Sequence, residues 1–267
     1  MDQIVIGLED EATARASVRW TIERARTAPM HLSLVAELDP VGSNPGSAKQ
    51  RLAHASRDIQ ALAPGTETEF VLADRQLLRE LLERSESADL VVIGSHPDER
   101  IRDGSTPSLP VSLAARAQCP VAIIPDDWAP HAGPVVVGMD AEGTAYEAAR
   151  FAAREAIAAD RELVVVLSWQ PWEVQHTRGA QFEHEAALNG IVERIRTEFP
   201  DARVRGELVE AVAHDGVIAT SRDAHLVVLG TFGLGRETGV VLGAIHQEVM
   251  IRGRVALCVV PLTDVRA

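Results

Sequence analysis

Lysine is almost missing from this chain. Lys49 is the only one in 267 residues, and it stands in a region rich in Gly, Ser and Pro. That excludes a GxxxxGKS/T phosphate loop, a kinase-type strand lysine and, in the second half, a Schiff-base lysine. Any phosphate has to be held by backbone N–H groups, hydroxyls and arginine. Cysteine is scarce as well. Cys119 and Cys258 each lie in an apolar run and form no CxxC, so both are expected to be small buried hydrophobes. No apolar stretch approaches the ~20 residues of a membrane helix. Basic charge is outweighed, with a formal net charge of −13. That balance argues against nucleic acid, whose phosphates demand basic patches, and against anionic membrane surfaces. The start, MDQIVIGLED, has no basic leader and no cleavage-site pattern, so a cytoplasmic location is expected.

What is present is a repeated alternation. Hydrophobic residues make up 46% of the chain, ample for buried cores. The length fits two domains of roughly 130 residues. Strands are predicted at Ile4–Leu8, Leu32–Leu38, Thr66–Leu72, Leu90–Gly94 and Pro120–Ile124. Helices fall between them at Thr13–Arg26, Ala48–Leu62, Arg75–Arg84 and Ser108–Gln118. Asp126–Gly133 (DDWAPHAG) breaks the pattern and reads as a linker. The order then restarts, with strands at Val135–Met139, Leu163–Ser168, Val204–Val209, Leu226–Gly230 and Ala256–Val260. Helices are predicted at Thr144–Ala158, Phe182–Phe199 (with Ala186, Ile191, Ile195 and Phe199 inward), His214–Ser221 and after Gly243. Short strands alternating with helices imply a parallel sheet covered on both faces. The fold class expected is therefore α/β, as two tandem doubly wound domains at 1–128 and 132–267.

The repeat is also visible residue by residue. Ile4-Val5-Ile6-Gly7-Leu8-Glu9 matches Val135-Val136-Val137-Gly138-Met139-Asp140, and Trp20 matches Phe151. Leu90–Ser95 (LVVIGS) matches Leu226–Thr231 (LVVLGT). The strand ending at Pro125 matches the one ending at Pro261. After Gly230 the second half runs Thr231-Phe232, Gly233, nine residues, then Gly243 and a helix-period stretch. A glycine-rich loop between strand and helix lets backbone approach a phosphate, and the helix N-terminus supplies free N–H groups.

These residues resemble the universal stress protein family in tandem form, over nearly the whole chain. Family domains begin with a short strand ending in Asp. They close with G-x2-G-x9-G followed by Ser or Thr, a helix and a last strand often opened by Cys-Pro-Val, which here is Cys119-Pro120-Val121. The resemblance implies five-stranded parallel sheets of order 3-2-1-4-5. It also implies an adenine-nucleotide site in the second half, for ATP with or without magnesium; cyclic AMP or another adenine nucleotide stays open. Gly138, Met139 and Asp140 would lie by the adenine and ribose, with Trp169 backing the base. Gly230, Thr231 and Gly233 would let the loop meet ribose and phosphates, with Arg236 in reach of them. Gly243, Ala244 and Ile245 would open the last helix under the phosphates. Ala244-Ile245 stands where the family usually has a hydroxyl, so weakened binding is expected.

Plainer roles compete with these. Asp140 and Thr238 can simply cap helices, Arg236 can be solvated, and Trp169 and Trp172 can pack on sheet and loop. The first half is degenerate: Pro97 and Pro107 replace the second and third glycines, and Glu9 replaces the Asp, so no normal ATP site is expected there. His246 is the nearest candidate base, with a partly exposed helix histidine as the alternative. Glu183-His184-Glu185 lacks the second His of HExxH, and Ser105, Thr106 and Ser108 form no G-x-S-x-G elbow. The expected function is ATP-binding regulation in a stress response, with no catalytic residue and no metal ligand. A nucleotide-independent interaction protein and a slow ATP-hydrolysing enzyme are the alternatives. Family domains commonly pair through their last strands. Pairing of Ala122–Pro125 with Cys258–Pro261 would make an internal pseudo-dimer, and a homodimer of chains is expected besides.

Overall fold

The computed structural model describes residues 1–26, 29–38, 47–74, 76–96, 107–170, 180–231, 244–252 and 254–261. They fall into two compact units that divide between Pro130 and His131. The first unit runs β1 (Asp2–Leu8), α1 (Glu11–Ala25), β2 (Met30–Glu37), α2 (Ser47–Leu62), β3 (Glu67–Ala73), α3 (Leu77–Arg84), β4 (Leu90–Ser95), α4 (Leu109–Arg116) and β5 (Val121–Pro125). Its strand order is β3-β2-β1-β4-β5. All its pairs are parallel, with Ile4 opposite both Leu32 and Leu90.

The second unit repeats this with β6 (Val135–Met139), α5 (Tyr146–Ala158), β7 (Glu162–Trp169), α6 (Ala180–Glu198), β8 (Arg203–Glu210), α7 (Ala213–Thr220), β9 (Leu226–Gly230), α8 (Ala244–Arg252) and β10 (Leu257–Val260). Its order is β8-β7-β6-β9-β10, again parallel throughout. Both units therefore have the expected 3-2-1-4-5 arrangement.

Burial follows strand position. β4 and β9 are buried along their whole length, as apolar strands covered on both faces should be. Each fully buried Leu, Ile or Val side chain contributes about 1.5–3 kcal/mol of transfer free energy. The outer strands β3 and β8 carry charge instead: Glu67 and Glu69 on one, Arg203, Arg205 and Glu207 on the other. Such charges discourage edge-to-edge pairing. Phe70 and Leu72 lie on one face of β3 and are exposed, at 50% and 38%. Trp20 and Phe151, matched by the repeat, are both buried.

One expectation needs correction. In α6 Ala186 is exposed, and Phe199, just past the helix, is half-buried. The buried stripe is Leu188, Ile191, Val192 and Ile195, the i, i+3, i+4, i+7 face of a helix. The stretch read as a linker, Asp126–Gly133, is anchored where it begins. Asp126 donates its N–H to the Ser95 carbonyl at 3.0 Å, and Trp128 donates to the Pro125 carbonyl at 3.0 Å.

Candidate functional site at the carboxyl ends of the second sheet

β6 is the strand from which the second sheet grows both ways. Val135–Val137 pair with Leu226–Val228 of β9 on one side, and β7 lies on the other. The carboxyl ends of β6 and β9 thus stand next to each other at the point where strand order reverses. In open α/β sheets that crevice is where ligands bind. Gly138, Met139 and Asp140 end one side, and Gly230 and Thr231 end the other. Trp169 closes β7 beside them. α8 opens with Ala244 and Ile245. The structure thus brings Gly138–Asp140, Trp169 and Gly230–Thr231 to the same end of one sheet. Gly233, Arg236 and Gly243, with Trp172 and Thr238, lie outside the described residues.

Several of these residues have structural work of their own. Asp140 holds the turn into α5. One carboxylate oxygen accepts the Thr144 N–H at 2.9 Å, the other accepts the Thr144 hydroxyl, and its carbonyl accepts the Gly143 N–H at 3.2 Å. Asp140 braces the turn but does not cap the helix, whose N-cap is Ala145 and takes no side-chain bond. A side chain at Gly230 would put its Cβ 2.5 Å from the Ala145 Cβ, so packing against the start of α5 requires glycine there whatever binds. Gly94 holds the same place in the first unit, where a Cβ would meet the Thr13 backbone carbonyl oxygen at 2.6 Å. This explains why Gly94 persists where the rest of the glycine motif is gone. The Trp169 ring sits 5.9 Å from the His184 ring of α6, tilted by 35°.

His246 is not the partly exposed helix residue that the sequence suggested. It is 4% exposed, and its Nε2 lies 3.1 Å from the Gly230 carbonyl oxygen. A carbonyl only accepts, so that nitrogen carries the proton and donates. His246 ties α8 to the end of β9, and this nitrogen is not a base. Among the described residues no group of three or more His, Cys, Asp or Glu side chains could hold a metal ion.

The matching end of the first sheet is furnished differently. Asp10, not Glu9, takes the capping role. Asp10 Oδ1 accepts from the Ala12 and Thr13 N–H groups at 2.9 and 3.2 Å, and Oδ2 accepts from Thr13 Oγ1 at 2.7 Å. Burial pushes its carboxyl up, but these bonds and one from His96 outweigh it and hold it below its ordinary value. His96, directly after β4, stands between two acids: Nε2 is 2.9 Å from Asp10 Oδ2, and Nδ1 is 2.9 Å from Asp126 Oδ2. Glu9 is pushed up, first by burial and then by Asp10. Sequence reasoning missed this cluster. Its signal was a titratable residue placed immediately after two strands, at His96 and Asp126, and just beyond a third at Asp10.

Comparison with known proteins follows the same lines. The sequence profile of the universal stress protein family matches residues 1–125 and again 132–261. A universal stress protein of Mycobacterium tuberculosis is 30% identical over 283 residues, covering 96% of each chain. Another from that organism is 25% identical over 274 residues, covering 92% of each. Among solved structures, a functionally unknown protein from Pseudomonas aeruginosa PAO1 superposes with a TM-score of 0.71 at 17% identity, over 99% of this chain and 94% of that one. A universal stress protein from Archaeoglobus fulgidus gives 0.66 at 15% identity, over 97% of both. At such identities the solved structures speak for the fold alone. A profile that matches twice, end to end, agrees with a sheet built twice in the same order: the chain belongs to the universal stress protein family and carries two of its domains in tandem.

Proposed function

We propose that the second unit binds an adenine nucleotide, ATP foremost and with or without magnesium. The protein then regulates a stress response through that binding, without efficient turnover. The observation that supports this reading is the placement of the glycine spacing. β9 ends at Gly230 and α8 begins at Ala244, so G-x2-G-x9-G runs from a strand end at the switch point to the residue before a helix. The first N–H groups of that helix have no partners within it and suit an anion. The lack of lysine in the second half leaves phosphate recognition to backbone, hydroxyls and Arg236. That composition favours holding a nucleotide over cleaving it, as does the donor role of His246 Nε2.

Ala244 stands where the family usually has a hydroxyl. A hydrogen bond to a charged group is worth about 1.5–3 kcal/mol, so Ala244→Ser should tighten ATP binding roughly tenfold or more. Gly233→Pro, which imitates Pro97 of the first half, should abolish it. Thermal shift of the full chain with millimolar ATP tests both variants. Full affinity in Gly233→Pro would mean that the site is elsewhere.

A second reading has specific support. Asp140 and Gly230 are both accounted for without a ligand, by the Thr144 bonds and by the approach of Ala145. A nucleotide-independent interaction protein would show that geometry and no ATP-induced shift.

A further inference from the structure

His96 faces a carboxylate from each ring nitrogen, both at 2.9 Å. An ionised carboxylate only accepts hydrogen bonds, and a neutral imidazole has a single N–H. A neutral ring would therefore set one of its lone pairs against a carboxylate oxygen. Protonation of Asp10 is disfavoured, because its two oxygens already accept from Ala12, from the Thr13 N–H and from the Thr13 hydroxyl, bonds that favour the ionised form. The doubly protonated ring satisfies both contacts at once. Its charged surroundings among the described residues are all acidic. They are Asp126 after β5, Asp10 before α1 and Glu9 after β1, with Glu37 at the end of β2 next to Glu9.

The ring also joins elements. Asp10 caps α1, His96 follows β4, and Asp126 follows β5 with its N–H on the Ser95 carbonyl. All three lie at the carboxyl end of the first sheet, where a doubly wound fold receives ligands. By the register of the repeat, the three positions correspond to Ala141, Phe232 and Leu262 in the second half, none of which titrates. The whole arrangement occurs in one repeat and is missing from the other.

We propose that His96 is a proton-operated latch across the carboxyl-end crevice of the first unit: doubly protonated, it bridges Asp10 and Asp126, and loss of one proton releases one of the two. The bond to Asp126 raises the ring above its ordinary value, burial opposes, and Asp10 adds to the rise. A raised value means that the latch is fully closed below the unfolded-state value of about 6.5 and opens as pH climbs through the folded one. The first unit thereby responds to protons where the second is furnished for a nucleotide.

Histidine-labelled full-length protein, titrated by nitrogen and carbon NMR, tests this. His96 should carry protons on both nitrogens at the pH where free imidazole is half-titrated, about 6.5, and should lose one only above it. Asp126→Asn and Asp10→Asn should each bring its titration down. Hydrogen-exchange protection of the Ala12, Thr13 and Asp126 amides, corrected for intrinsic rate, should fall as pH rises through the His96 transition, and His96→Gln should lack that step. A single neutral tautomer titrating at or below about 6.5 would overturn the latch, and so would a titration unmoved by both Asn variants. If His96→Gln does not fold, the NMR titration of the unaltered chain decides alone.

Discussion

Replacing Gly94 by alanine separates packing from binding, because Gly94 lies in the unit whose nucleotide motif is broken. The added Cβ would sit 2.4 Å from Thr13 Cβ, 2.6 Å from Thr13 O and 2.8 Å from Thr13 C. Carbon atoms rest at about 3.5–4.0 Å, so β4 and α1 must part by roughly 1 Å at this point. Two of the three nearest atoms are backbone, so no rotamer change relieves the clash. α1 is also pinned there by the bonds of Asp10 to Ala12 and Thr13. Overpacking of this kind costs about 1–3 kcal/mol, and the upper end is expected. That is roughly a hundredfold in the folding equilibrium. Gly230→Ala meets the Ala145 methyl at 2.5 Å and backbone only at 3.5 Å, so it should cost less, near about 1 kcal/mol. Urea unfolding followed by circular dichroism would measure both, with the slope expected to stay constant while the midpoint falls. Gly94→Ala within about 0.5 kcal/mol of wild type would refute the packing argument, as would Gly230→Ala proving the more costly of the two.

Asp10→Ala should cost about 0.5–2 kcal/mol through loss of the α1 cap. Because the folded carboxyl lies below its ordinary value, its stabilisation is present above about pH 3.9 and is lost as pH falls through the folded value; denaturant melts of wild type and variant should converge there. Burial pushes the Cys119 thiol up to about 12, and Cys258 is buried as well, so a disulfide-exchange reagent should modify neither until the chain unfolds. Rapid labelling of the folded protein would contradict that. Tyr146→Phe removes the hydroxyl donated to Glu198 at 3.1 Å but keeps the ring beneath Arg194, so it should cost about 0.5–1.5 kcal/mol. Tyr146→Ala, which also removes the buried ring, should cost about 3–5 kcal/mol in the same melts.

The duplicated fold was legible because apolar runs and their spacing are local signals. The LVVIGS and LVVLGT strands needed no tertiary information, and the structure pairs each with the first strand of its unit, as the family resemblance implied. The site was legible only in outline. Gly230 was read as room for a ligand, and the neighbour that demands a glycine, Ala145, is invisible without coordinates. His246 sits in a helix of mixed polarity, and nothing local showed that its ring turns inward to the Gly230 carbonyl. Aligning Glu9 with Asp140 matched letters one position away from the group that does the capping, Asp10. The cluster of Asp10, His96 and Asp126 escaped for a related reason. Its members are far apart in sequence, up to 116 positions, and only the parallel sheet order brings their strand ends together.

Native mass spectrometry of the purified full-length chain tests the central claim most directly. One adenine nucleotide per chain is predicted, retained from the cell or taken up from added ATP and missing in Gly233→Pro. A chain that carries none, takes up none at millimolar ATP and shows no melting shift would contradict the nucleotide-binding account and leave the interaction-protein reading in its place.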